Sequence, residues 1–282
     1  MSRGRIVAAA VGGFAAAGAA RYAYSVLRRT PPGGEKLWAR INHRGEPVTL
    51  LEGPAVAAGA VVAALGAHPA IAVAGVGAAA FGAYDDLAGS GDRRGFRGHV
   101  GALIQGEVTT GAVKLGGIGA TGLVSACLVG GSPVDVALNA GLIAGGANLL
   151  NLFDLRPGRA TKVAVLCGGL LAVSSPSAAE SAAPAVGAAL ALLPEDLGER
   201  AMLGDSGANA LGAMLGAAAA ASLPRPARLV ILAGIAGLTA ASEKVSFTKV
   251  IERTPALHWL DMLGRRPVAP MPKIPVPAVP EE

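Results

Sequence analysis

"VDVALNAGLIAGGANLLNLFDLRPGRATK", residues 134–162, is the stretch whose reading decides the fold. From 134 to 152 its only charged side chain is Asp135, and Arg156, Arg159 and Lys162 follow soon after. An apolar run close to the ~20 residues that cross a bilayer, closed by cations, reads as a membrane helix ending on the inner side. The run also has a second character. Asn148, Asn151 and Asp154 recur at intervals of three, which on a helix places them near one face. Amides close to a membrane interior need partners, so this end of the helix is a candidate site as well as a topology signal.

The rest of the chain repeats the apolar pattern. Of its 282 residues 52% are hydrophobic and only 15% are charged, with a mean hydropathy of +0.51, and this excludes an ordinary soluble domain. Apolar runs lie near 6–27, 54–67, 69–84, 111–131, 134–152, 163–175, 181–194, 207–223 and 228–242. They predict an all-α, polytopic transmembrane helix bundle of about nine (8–10) spans within a single domain, 1–265, followed by a Pro-rich disordered tail, 266–282. The 41 glycines and abundant alanine predict close helix packing through small faces. The first run follows Arg3 and Arg5 like a signal peptide, but later runs share its character, so it reads as a retained span. Cys127 and Cys167, both in apolar runs, read as packed thiols.

Charge orients the bundle. The segments 28–53, 85–110, 154–162, 195–206 and 243–282 hold 18 of the 24 Lys and Arg residues and all acidic residues except Asp135 and Glu180. Positive loops stay inside, so the amino terminus is expected outside and the carboxyl terminus in the cytoplasm, in a multi-pass protein of the cell membrane. The pI of about 9.6 fits attraction to anionic lipid. The basic residues are dispersed as span-flanking loops and make no case for nucleic-acid binding.

Three polar clusters fall on that inner face. "GAYDDLAGSGDRRGFRGH" (82–99) ends a span with Asp85 and Asp86 and continues with Arg93, Arg94 and Arg97. The second is Asn148, Asn151 and Asp154. The third is "AMLGDSGANALG" (201–212), with Asp205 and Ser206 opening a span. Each has a plain structural reading: Asp85 and Asp86 can end a helix in water, and Asp205 and Ser206 suit a helix start. Together, hard oxygen ligands beside cations at a membrane surface are what a magnesium-bridged pyrophosphate requires.

In this order the clusters resemble the motifs of the polyprenyl-phosphate N-acetylhexosamine-1-phosphate transferases (glycosyltransferase family 4). A weaker fourth likeness is "NHRGEPVTLLEGP" (42–54), and the resemblance spans roughly 40–265. It implies transfer of a sugar-1-phosphate from a UDP-sugar to polyprenyl phosphate with release of UMP, in cell-envelope glycan synthesis such as that of peptidoglycan. By the same resemblance Asp85, Asp86, Asp154 and Asp205 are the catalytic candidates, with Mg2+ on Asp85, Asp86 and Asp205. Asn148, Asn151, Arg93, Arg94, Arg156, Arg159 and His258 are the substrate-binding candidates, and homodimerisation is a further implication.

The departures are specific. The family's block continues as Asp-Gly-x-Asp-Gly, whereas here it reads Asp154, Leu155, Arg156, Pro157, Gly158, and Met202 stands where an aromatic side chain can stack on uracil. His258 replaces a cluster of histidines, and the Pro-rich tail replaces a last span. Metal and diphosphate elements are better matched than nucleotide elements. The rival expectation is therefore a non-catalytic relative that binds lipid phosphate or a cell-envelope partner.

Overall fold

The computed structural model describes residues 2–65, 68–89 and 108–267. In chain order the elements are α1 (Ser2–Arg29), α2 (Glu35–Trp38), β1 (Ala39–Ile41), β2 (Pro47–Thr49), α3 (Glu52–Ala64), α4 (Pro69–Ala88), α5 (Thr110–Val129) and α6 (Pro133–Phe153). They continue with α7 (Arg159–Ser174), α8 (Pro176–Leu197), α9 (Gly204–Ser222), α10 (Arg225–Ser242), α11 (Phe247–Arg253) and α12 (Pro255–Met262). The protein is all-α apart from the β1–β2 hairpin. Each of the nine apolar runs overlaps a helix, although α3, which stops at Ala64, is short for a span. Among the described residues four helices, α1, α4, α5 and α6, are long and apolar enough to cross a membrane, and α10 with α11, bent by 96° at their junction, would be a fifth if the pair is one span.

Local chemistry explains several boundaries. Ser132 and Asp135 form a capping box at the start of α6, with Pro133 in its first turn. Thr109 caps α5 and Ser175 caps α8, each hydroxyl accepting a backbone N–H three residues on at 3.1 Å. No side chain from its own N-cap bonds the start of α9.

Small residues fill the interior. A Cβ placed on Gly212 would lie 2.2 Å from the Gly146 carbonyl oxygen, and one on Gly187 would lie 2.1 Å from that of Gly13. Helices α6 and α9, and α1 and α8, therefore touch backbone to backbone. Larger side chains such as Ile71, Leu142, Ile143 and Met214 are buried among them, while many other bulky apolar side chains point outward: Phe14 is 81% exposed and Val173 83% exposed. Bulky apolar side chains on the outer surface suit a lipid surround. Cys127 and Cys167 belong to that outer surface. Both are free and exposed, which corrects the expectation of packed thiols.

Polar contacts sort to the two ends of the bundle. At one end Asp135 pairs with Arg225 and Arg228, and Arg5 pairs with Glu180. The other end carries the hairpin, the last turns of α4 and α6, the first turns of α5 and α9, and the strap α11–α12. Hairpin and strap are tied down by ions. Glu199, buried at a positive φ of 53°, accepts from Asn42 and Arg44, and Arg44 also donates to the Arg266 and Pro267 carbonyls.

The strap's anchor is Asp261, which accepts from Arg159 at 2.7 and 3.0 Å and from Arg265 at 2.8 Å. Burial pushes the Asp261 carboxyl up, but Arg159, Arg265 and Lys162 overcome it and hold the group below its ordinary value. A depressed folded-state pKa contributes stability that is complete above the unfolded pKa and is lost as pH falls through the folded one. Below about pH 4 the strap is accordingly expected to loosen. Amide exchange over 255–262, corrected for intrinsic rates, should quicken there ahead of the other helices. Asp261→Asn should reproduce the effect at neutral pH, and equal protection in both proteins would refute it.

Candidate functional site

The site is built around the amino terminus of α9. Gly204 opens that helix at φ +61°, and a Cβ there would lie 2.8 Å from Leu50 and 3.1 Å from the Asp86 carboxylate, so glycine is required. With no capping side chain of its own, α9 is capped from another helix. Asp86, in the last turn of α4, accepts the Asp205 N–H on Oδ1 at 3.1 Å and the Ser206 N–H on Oδ2 at 2.9 Å. Gly82 permits the approach, since its Cβ would lie 2.5 Å from the Asp205 carbonyl oxygen. Arg40, from β1, donates to the Asp86 carbonyl oxygen and closes the outer side.

Asp154 reaches the same helix end. It is the residue on which α6 stops, with φ −78° and ψ 53°. Burial first, and then the charges of Asp196, Asp205 and Asp86, hold its carboxyl well above the usual carboxylate range, against a hydrogen bond from the Gly204 N–H. Residues 85–86, 154 and 204–206, far apart along the chain, thus converge on one helix terminus.

A cation completes the cluster. Lys114, in the first turns of α5, donates to Asp85 Oδ2 at 2.5 Å and also to Asp205 Oδ2. One half-buried ammonium bridges two carboxylates from different helices. Lys114 was absent from the candidates drawn from sequence. The available signal was a lysine inside an apolar run, a position that is expensive unless partnered.

No protein-family model and no curated protein matches the chain.

Two cavities flank the cluster. One, of about 400 Å³, is lined by Lys114, Asn148, Asn151, Asn209, Thr239 and Glu243 among others. The second, of about 250 Å³, includes Asn42, His43, Asp154, Arg156, Asp196 and Met202 in its wall. The Asn-x-x-Asn-x-x-Asp block is therefore divided between the two: Asn148 and Asn151 line the first cavity, and Asp154, the residue after α6, lines the second.

The other candidates separate from the cluster. Arg159 is 4% exposed and bound to Asp261, so its assignment to substrate is corrected to a structural tie. His258 is exposed on α12 and lines neither cavity. Arg93 and Arg94 lie outside the described residues.

The resemblance implies a divalent metal on Asp85, Asp86 and Asp205. Among the described residues no group of three or more His, Cys, Asp or Glu side chains is arranged to hold a metal ion. Asp85 and Asp205 nevertheless present hard oxygens to one shared cationic position, occupied by the Lys114 ammonium. Asp86 spends one acceptor site of each oxygen on α9 and keeps the other. In donor type these residues suit magnesium.

Proposed function

We propose that the protein is a membrane phosphoglycosyl transferase that moves a sugar-1-phosphate from a UDP-sugar to polyprenyl phosphate and releases UMP. On this reading the nine long helices are nine traversals, the amino terminus lies outside, and the site faces the cytoplasm. The observation that carries the proposal is the meeting of Asp85, Asp86, Asp154 and Asp205 with Lys114 at the start of α9.

In the reaction an oxygen of the lipid phosphate attacks the sugar-proximal phosphorus. A new P–O bond forms, the bond from that phosphorus to the bridging oxygen breaks, and UMP departs with that oxygen. On this reading Arg156 offsets charge on the diphosphate, while Asn148 and Asn151 line the largely neutral cavity beside Lys114. Magnesium would be held by Asp85 and Asp205 with Asp86 beside them, and when bound it supplies further charge compensation. The cavity beside Asp154 and Met202 is the place for the nucleoside. Its wall of His43, Arg156 and Met202 departs from an aromatic stacking platform.

The test is UMP release by the purified protein in nanodiscs supplied with polyprenyl phosphate, Mg2+ and a panel of UDP-sugars. Asp86→Asn and Asp205→Asn are each expected to reduce turnover by about 100-fold or more, the scale of losing a charge-stabilising group. The rival reading, a non-catalytic binder of lipid phosphate, draws on the pairing of Lys114 with both Asp85 and Asp205, which leaves the charge cluster self-satisfied. Silence across the panel, with folded protein and retained lipid-phosphate binding, would decide for it.

A further inference from the structure

Asn209 lies four residues beyond Asp205 on α9, about 6 Å deeper along the helix axis. It is 1% exposed, and its Nδ2 has no hydrogen-bond partner. At comparable burial Ser125, Thr161 and Ser206 find one, whereas Asn139 Nδ2 and the Glu52 carboxylate share the lack. An unpaired amide inside a membrane bundle costs free energy that neither packing nor helix pairing returns. Asn209 is one of the residues that line the 400 Å³ cavity that Lys114 also lines. A half-turn of its terminal torsion exchanges the two ends of the amide, and either can then face a ligand.

The cavity's chemistry narrows the ligand. Asn148, Asn151 and Asn209 are neutral, Glu243 is exposed at the rim, and Lys114 is already shared by two carboxylates. A dianionic phosphate would meet too little positive charge there. An uncharged group rich in acceptor oxygens meets amide donors on the inner wall and a carboxylate acceptor at the mouth. Room exists because Gly111, Ala144 and Gly145 line the cavity, and its size lies within the ~300–1,000 Å³ of small-molecule sites. The 96° break between α10 and α11 brings Ser242 and Glu243 to the opening.

We propose that this cavity receives the sugar of the nucleotide-sugar donor, with Asn209 a specificity-determining residue that hydrogen-bonds a sugar oxygen. The assignment rests on the transferase reading and adds to it a residue that the sequence motifs leave without a role.

The experiment measures binding of UDP-N-acetylglucosamine, UDP and farnesyl phosphate to the full chain in nanodiscs, together with thermal unfolding. Wild type should bind the UDP-sugar more tightly than UDP. Asn209→Leu should weaken the UDP-sugar by about 10- to 100-fold, the range for one lost hydrogen bond in a buried site, and leave UDP and farnesyl phosphate unchanged. Its melting temperature should hold or rise, because leucine removes an unsatisfied donor, and Asn209→Ser, which keeps a donor, should retain part of the sugar's contribution. Unchanged sugar affinity, equal weakening of all three ligands, or lower stability in Asn209→Leu would overturn the assignment and leave the transferase reading standing. A wild type that binds neither UDP species would overturn both.

Discussion

Lys114→Met is expected to lower the stability of the protein by about 3 kcal/mol, the lower end of what removing one partner of a buried ion pair costs. The lower end applies because Asp85, Asp205 and Lys114 keep 18%, 24% and 15% of their side-chain surface exposed. Without the ammonium, two carboxylates from α4 and α9 face each other next to a third, Asp86, with nothing to offset them. Methionine keeps the length and apolar stem of lysine, so the loss reports charge rather than packing. The same variant tests the donor set. If Asp85 and Asp205 can hold a hard cation, added Mg2+ should raise the melting temperature of Lys114→Met more than that of wild type. A variant that melts like wild type would show that the ion pairs contribute nothing to folding, and the picture of Lys114 as the tie between α4, α5 and α9 would fail.

Gly212→Ala should be comparably damaging although it adds a single methyl group. That carbon would lie 2.2 Å from the Gly146 carbonyl oxygen and 2.8 Å from the Ala147 Cα, both parts of a helix backbone that cannot rotate aside. Relief requires α6 and α9 to separate, and the same seam is tight at Gly216, whose Cβ would meet the Leu142 carbonyl oxygen at 2.4 Å. Overpacking of this kind costs ~3 kcal/mol, the upper part of its usual range. Because α6 and α9 carry Asn148, Asn151, Asp205 and Asn209, activity or ligand binding should fall with it. Gly234→Ala is the control: nothing lies within 4 Å of its added carbon, and alanine is the better helix former. Monodispersity in mild detergent and the melting temperature separate the two, and equal behaviour would refute the backbone-contact account.

The apolar runs became helices because hydrophobicity is a local property, but among the described residues only four of those helices, or five if the bent α10–α11 pair is one span, are long and apolar enough to cross a membrane. The acidic clusters were visible because a charge beside an apolar run is conspicuous in one dimension. The partner of those charges was harder to see: Lys114 is one residue in an apolar helix, and nothing local says which carboxylates it will meet. Arg159 misled for the converse reason. Its place beside Arg156 and Lys162 fits a topology signal or a phosphate ligand equally, and only the fold brings Asp261, 102 residues away, against it. That Asp154 would border one cavity and Asn148 and Asn151 another was equally hidden, because it depends on what meets the end of α6.

By itself, then, the order of residues determined an apolar, helical, small-residue chain with its acidic blocks at segment ends, because those traits follow from each stretch and its immediate neighbours. Tertiary structure alone decided that Asp86 would cap α9, that one lysine would bridge Asp85 and Asp205, and that Asn209 would line a cavity with Asn148 and Asn151. Each depends on which helix ends meet, and that is set by backbone contact at glycines such as Gly82, Gly146 and Gly212, whose effect is felt only when two distant segments touch.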